Sequence, residues 1–137
     1  REYVDVPDNF DGYKVLLSKA SGAGQFGEKL VTPAIASKQV GHTQSFVSMG
    51  NFETEQEADA LVKYLKTKFV RSLLGILKVT QDITPRVWSL VPQQDFKETS
   101  DIDWDASVRD IDSRLYKKYR LDESTIDFIE SNVKEME

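Results

Sequence analysis

Along the first fifty residues the apolar side chains run in short stretches or alternate with polar ones, and from residue 54 they recur every three or four positions. That change of period predicts strands first and helices afterwards. Tyr13-Lys14-Val15-Leu16-Leu17-Ser18 is a compact β-branched and apolar run that reads as a strand. In Leu30 to Ala36, Pro33 bars a helix interior and predicts an edge strand or extended segment. Gln44 to Met49 alternates, with Phe46 and Ser48 on one face and Val47 and Met49 on the other. Thr54 and Glu57 then have capping-box spacing, and Ala58, Leu61, Val62, Leu65, Phe69, Leu73, Ile76 and Leu77 form one stripe. The pattern predicts one helix from about Glu55 to Lys78, with Lys63, Arg71 and Lys78 together on its polar side and a bend at Gly75. Residues 80 to 85 read as a polar connector, and Arg86 to Val91 as a strand ended by Pro92.

Beyond Phe96 the composition changes. Residues 97 to 103 are polar and acidic and read as a linker. Val108, Ile111, Leu115 and Tyr119 mark a short amphipathic helix, anchored by Trp104 just ahead of it. Asp122 is placed to cap a final helix running through Ile129, Val133 and Met136, with Leu121 and Ile126 as a hydrophobic staple. So few residues between two helices predict a hairpin. The expected fold is α+β: a small, mainly antiparallel sheet on one long helix with a C-terminal helical hairpin. Residues 1–97 form the core unit, and 98–137 the acidic linker and hairpin packed on it.

Composition narrows the function. In 137 residues there is no Cys, which removes disulfides, thiol catalysis and Cys-based zinc sites together. No apolar stretch approaches the roughly 20 residues of a membrane span, so no membrane partner is expected. Cys-free composition is compatible with the reducing cytoplasm, which is the expected location. The chain opens at Arg1 without Met or a leader pattern and reads as a piece of a longer protein. The net charge of −5 is uneven: residues 1 to 97 hold 12 Lys and Arg against 11 Asp and Glu, whereas 98 to 137 hold 6 against 12. Between residues 60 and 88, Lys63, Lys66, Lys68, Arg71, Lys78 and Arg86 face only Asp82. A local field of that sign suits a polyanion, although a solvated helix face has the same composition.

Gly22, Gly24 and Gly27 spell G-x-G-x-x-G, the spacing of a dinucleotide cradle. The chemistry needs a helix starting on the third glycine and an acidic residue about 20 positions on. Pro33 forbids the first and Phe46-Val47-Ser48 stand where the second belongs, so the stretch reads as a loop joining two strands. His42, the only histidine, lies between Gly41 and Thr43 without a nucleophile motif nearby and reads as a solvated or polar-contact side chain. Asp82, Asp95 and Lys97 can be fitted to a Mg²⁺ nuclease pattern, but such a match recurs by chance in acidic chains. Asp101, Asp103 and Asp105 lack the glycine turn and distal Glu of a calcium loop.

What remains is polar and basic. Lys19 and Ser21 stand at the mouth of the glycine loop and Lys29 at its exit, where glycines let backbone N–H groups approach phosphates. Gln81 and Arg86 follow the long helix, and Gln and Arg suit bidentate contacts to base edges.

The series "YKVLLSKASG", "SFVSMGNFETEQEADALVKYLKTKFVRSLLGILK", "TQDITPRVWSLVPQQDF" and "LYKKYRLDESTIDFIES" resembles the C-terminal, target-recognition region of bacterial type II restriction–modification adenine-specific DNA methyltransferases. The resemblance spans residues 13 to 133. It implies a DNA-binding module whose partners are double-stranded DNA and the catalytic methyltransferase domain of the same chain. S-adenosylmethionine would be held in that N-terminal domain. This sequence has no Asn-Pro-Pro-Tyr motif, so no catalytic residue or cofactor site is carried over; a metal site is not expected either. On this reading Lys19, Lys29, Lys66, Arg71 and Lys78 contact phosphates, and Ser21, Gln25, Gln81 and Arg86 complete the DNA-facing set. The alternative is a protein-interaction module that docks on other domains of such a complex.

Overall fold

A computed structural model describes residues 11–18, 33–39, 46–77 and 91–136. Three strands, β1 (Tyr13–Ser18), β2 (Ala34–Ala36) and β3 (Phe46–Phe52), form an antiparallel sheet in the order β2-β1-β3. Among the described residues four helices follow: α1 (Glu55–Lys66), α2 (Lys68–Leu77), α3 (Val108–Lys118) and α4 (Glu123–Asn132). The fold is the expected α+β arrangement.

Alternation along β1 sets which face meets the helices. Val15 and Leu17 are buried in the core, and Val15 is flanked across the sheet by Ile35 and Met49, which also pack there. Burying side chains of this size contributes about 1.5–3 kcal/mol each, and α1 supplies the opposing surface by contacting all three strands. Between Tyr13↔Phe52 and Val15↔Met49 the register shifts by one residue. The extra residue is accommodated on β3, where Gly50 adopts φ +86°. A Cβ there would lie 2.2 Å from the Phe52 ring, so the bulge requires glycine.

Thr54 caps α1: its Oγ1 accepts the Glu57 N–H at 3.3 Å and donates to the Glu57 carboxylate at 3.2 Å. The single helix expected from Glu55 to Lys78 is not what forms. Thr67 is extended at φ −63° and ψ 149°, and α1 ends there. Its hydroxyl donates to the Tyr64 carbonyl at 2.6 Å and accepts the Val70 N–H at 3.2 Å, closing one helix and opening the next. Asp112 of α3 completes the opening of α2 by accepting the N–H groups of Lys68 (3.0 Å) and Phe69 (2.9 Å). The chain therefore turns at Thr67, whereas Gly75 lies inside α2.

The segment read as a linker is mostly exposed but is anchored by Ile102. Ile102 and Trp104 are buried in the same apolar cluster as Val15, Leu65 and Val70, and so are Ile111, Leu115, Ile129 and Val133. The Trp104 indole donates to the Asp95 carbonyl at 2.8 Å. Its ring stands edge-on to Tyr64 and leans on Phe96, with centroids 5.8 and 5.1 Å away. Both α3 and α4 pack on α2. Ser107 caps α3 and Asp122 caps α4, the latter through the Thr125 N–H at 2.8 Å. After α3 the chain reverses through a Schellman turn: Leu121 N–H reaches the Tyr116 carbonyl and Arg120 N–H the Lys117 carbonyl, with Arg120 at φ 53°.

Candidate nucleic-acid interface

The break at Thr67 redistributes the cations that a continuous helix would align. Lys63 is turned inward along α1, its Nζ donating to the carbonyls of Trp104 (2.8 Å) and Ala106 (3.4 Å) just ahead of α3. Lys68 forms an ion pair with Glu130 of α4 at 2.6 Å. Arg71, expected at a phosphate, is only 2% exposed. Its Nε donates to the Lys66 carbonyl at 3.1 Å, one of the acceptors left open where α1 stops. Arg71 is thus a structural brace across the α1–α2 turn, and the physical reason is the turn itself, which rotates α2 out of the register of α1. Lys66, the other expected phosphate contact within the described residues, is partly exposed and makes no ion pair among them.

Lys19, Ser21, Gln25, Lys29, Lys78, Gln81 and Arg86 lie outside the described residues, as do His42 and Asp82. Asp95 and Lys97 are described: the Asp95 carboxylate accepts the Lys97 N–H at 3.0 Å in a local turn. Among the described residues no group of three or more His, Cys, Asp or Glu side chains is arranged to hold a metal.

The register of the described strands fixes which of their ends adjoin. Ser18, the last residue of β1, pairs with Phe46, the first of β3, and Leu16 pairs with Ala34, the first of β2. The end of β1 and the starts of β2 and β3, which bound residues 19–32 and follow residues 40–45, therefore meet at one end of the sheet.

Two electrostatic features were not anticipated. Asp112, on the apolar stripe of α3 with Ile111 and Leu115, is 2% exposed. Burial pushes its carboxyl up to about 6 against the pull of the Lys68 and Phe69 N–H groups. Burial likewise lowers the Arg71 guanidinium, opposed by Asp112. A carboxylate at a position where the stripe calls for an apolar residue was the available sequence signal. The second is Gln94, whose amide donates to Tyr119 Oη at 2.7 Å and accepts Lys118 Nζ at 2.8 Å. Tyr64 Oη donates to the Pro92 carbonyl at 2.7 Å, and burial raises this phenol to about 12. Nothing in residue types alone separates Gln94 from an exposed glutamine.

Between α1, β2 and residues 96–105 lies a groove of about 680 Å³. Ile35, Ala60, Phe96, Ile102 and Trp104 contribute apolar surface, and the carboxylates of Glu55, Asp59, Glu98, Asp101, Asp103 and Asp105 outnumber its two cations, Lys97 and Arg114. Lys118 pairs with Asp101 at 2.9 Å and holds that carboxyl below its usual value. This face repels a polyanion. No helix among the described residues is long and apolar enough to cross a membrane. No family model, curated protein or solved structure matches the chain.

Proposed function

We propose that this chain is the target-recognition module of an adenine-specific DNA methyltransferase of the restriction–modification type, acting in the cytoplasm beside a catalytic domain that binds S-adenosylmethionine. The described α+β body is the scaffold. DNA contact falls to the connections, Lys19, Ser21, Gln25 and Lys29 between β1 and β2 and Lys78, Gln81 and Arg86 after α2, with Lys66 of α1 as a further phosphate contact. The observation that supports this reading is the strand register, which brings the end of β1 and the starts of β2 and β3, the strand ends that bound these segments, together at one end of the sheet. Recognition residues belong on connections held by a rigid frame. The test is duplex binding followed by fluorescence anisotropy. Four phosphate contacts correspond to a log-log salt slope of about −3.6, a loss of about 10²-fold in affinity between about 50 and about 200 mM salt. Absence of binding at the lower salt would reject the proposal.

The groove beside α1 favours a second reading, a protein-interaction module. An aromatic and aliphatic floor under six carboxylates is complementary to a basic segment of another domain or subunit. Such docking would proceed without DNA and would be abolished by charge reversal at Asp59 and Asp103, changes that leave duplex binding intact if the first reading holds.

A further inference from the structure

Arg71 stands where α2, α3 and the segment following α4 meet, and the protein satisfies only part of its guanidinium. Nε has the Lys66 carbonyl, but Nη1 and Nη2, both sealed from solvent, have no acceptor among the described residues. Buried charged donors without acceptors are costly, and folded proteins satisfy almost all of them. Arg71 borders a small cavity of about 10 Å³, enough for a single water. The other charged groups around it are Lys68 and Arg109 on one side of the balance and Asp112, Glu130 and Glu135 on the other.

We infer that this cavity is a binding site for one internal water, which accepts from an Arg71 Nη group and donates to a lining carboxylate. Size excludes a polyatomic anion. Charge decides between water and a monatomic ion: three cations face three carboxylates, so the lining is balanced and a neutral occupant fits it. Water also supplies what both sides need, since it accepts from the guanidinium and donates to a carboxylate in the same position. Asp112 has spare lone pairs after accepting the Lys68 and Phe69 N–H groups. The bridge ties the α1–α2 turn to α3 and to the chain after α4. Arg109 and Glu135, paired at 3.1 Å and largely exposed, form the outer wall through which the water exchanges.

A crystal structure of the full chain at high resolution, with and without a bromide soak, tests this directly. The expected result is one peak about 2.7–3.2 Å from Nη1 or Nη2, without anomalous signal in bromide. Water-proton relaxation dispersion should then show one long-lived water that is lost in Val108→Ile, whose added methylene occupies the cavity, and in Arg71→Met. An anomalous peak, direct contact of both Nη groups with a carboxylate, or an unoccupied cavity in the wild-type crystal would each overturn the inference, whatever the variants do.

Discussion

Asp112 Oδ1 accepts the backbone N–H of Phe69 at 2.9 Å, so a side chain of α3 caps a helix 43 residues earlier in the chain. The other oxygen holds the Lys68 N–H. Removing the carboxylate in Asp112→Ala leaves two amides without acceptors and the Arg71 charge without its nearest counter-charge. Each unpaired buried group costs about 1–3 kcal/mol; the ionised carboxylate's own desolvation is relieved at the same time. The expected net loss at neutral pH is about 2 kcal/mol, read from urea midpoints at unchanged slope. Asp112→Asn keeps one acceptor and should lose less. Arg71→Met should cost less when added to the Asp112→Ala variant than when made in the wild type, because the two residues share one interaction.

The same carboxyl gives a pH signature. Its folded value of about 6 lies above the ordinary 3.8. A raised acid binds its proton more tightly when folded, so its contribution is complete below about 3.8 and lost as pH climbs through about 6. The stability advantage of wild type over Asp112→Asn should therefore shrink from about pH 4 to about pH 7, by on the order of 2–3 kcal/mol. Asp101 and Asp122 run the opposite way: hydrogen bonds, from Lys118 to the first and from Thr125 to the second, lower them, and acid removes what they contribute. Carboxyl carbon NMR titration separates the groups, with Asp112 alone of these three moving upward.

Local physics made much of this fold legible. The β1 strand and the Thr54 and Asp122 caps depend on neighbours within a few residues, and each formed where the sequence placed it. The turn at Thr67 was illegible because threonine is unexceptional inside a helix until a distant carboxylate offers the next two amides a better acceptor. The roles of Lys63 and Arg71 were hidden for the same reason: their acceptors are backbone carbonyls that only the folded chain brings near. At residues 97 to 103 the acidic composition gave no sign of the burial of Ile102.

Gly50→Ala should be among the most damaging single-methyl additions in the described sheet. The residue has φ +86°, and the new Cβ would strike the Phe52 ring, which packs against the core. Left-handed backbone costs a residue with a side chain about 1–2 kcal/mol, and moving the aromatic ring adds to that. Thermal unfolding should show a fall of several degrees. An unchanged midpoint would mean that the β3 bulge does not need its glycine.

Arg120→Gly should do the reverse. Arg120 occupies the left-handed position of the Schellman turn after α3, with its side chain exposed. Glycine removes the steric penalty while keeping both turn hydrogen bonds, so a gain of about 0.5–1 kcal/mol is expected despite the greater freedom of the unfolded chain. A loss of stability would show that the guanidinium makes a contribution exceeding the backbone strain.

The decisive functional comparison sets inner cations against outer ones. Arg71 is buried and Lys63 is held by two carbonyls, so Arg71→Met and Lys63→Met should leave duplex affinity and its salt slope unchanged in variants that remain folded. Lys19→Ala with Lys29→Ala, on the connection between β1 and β2, should lower affinity and reduce the slope by about 2, because each neutralised phosphate releases about one counterion. A mutated connection that binds duplex with the wild-type slope would move the interface elsewhere. If the inner variants weakened binding while staying folded, the α1–α2 turn would have to open on DNA, exposing the guanidinium that the free protein keeps inside.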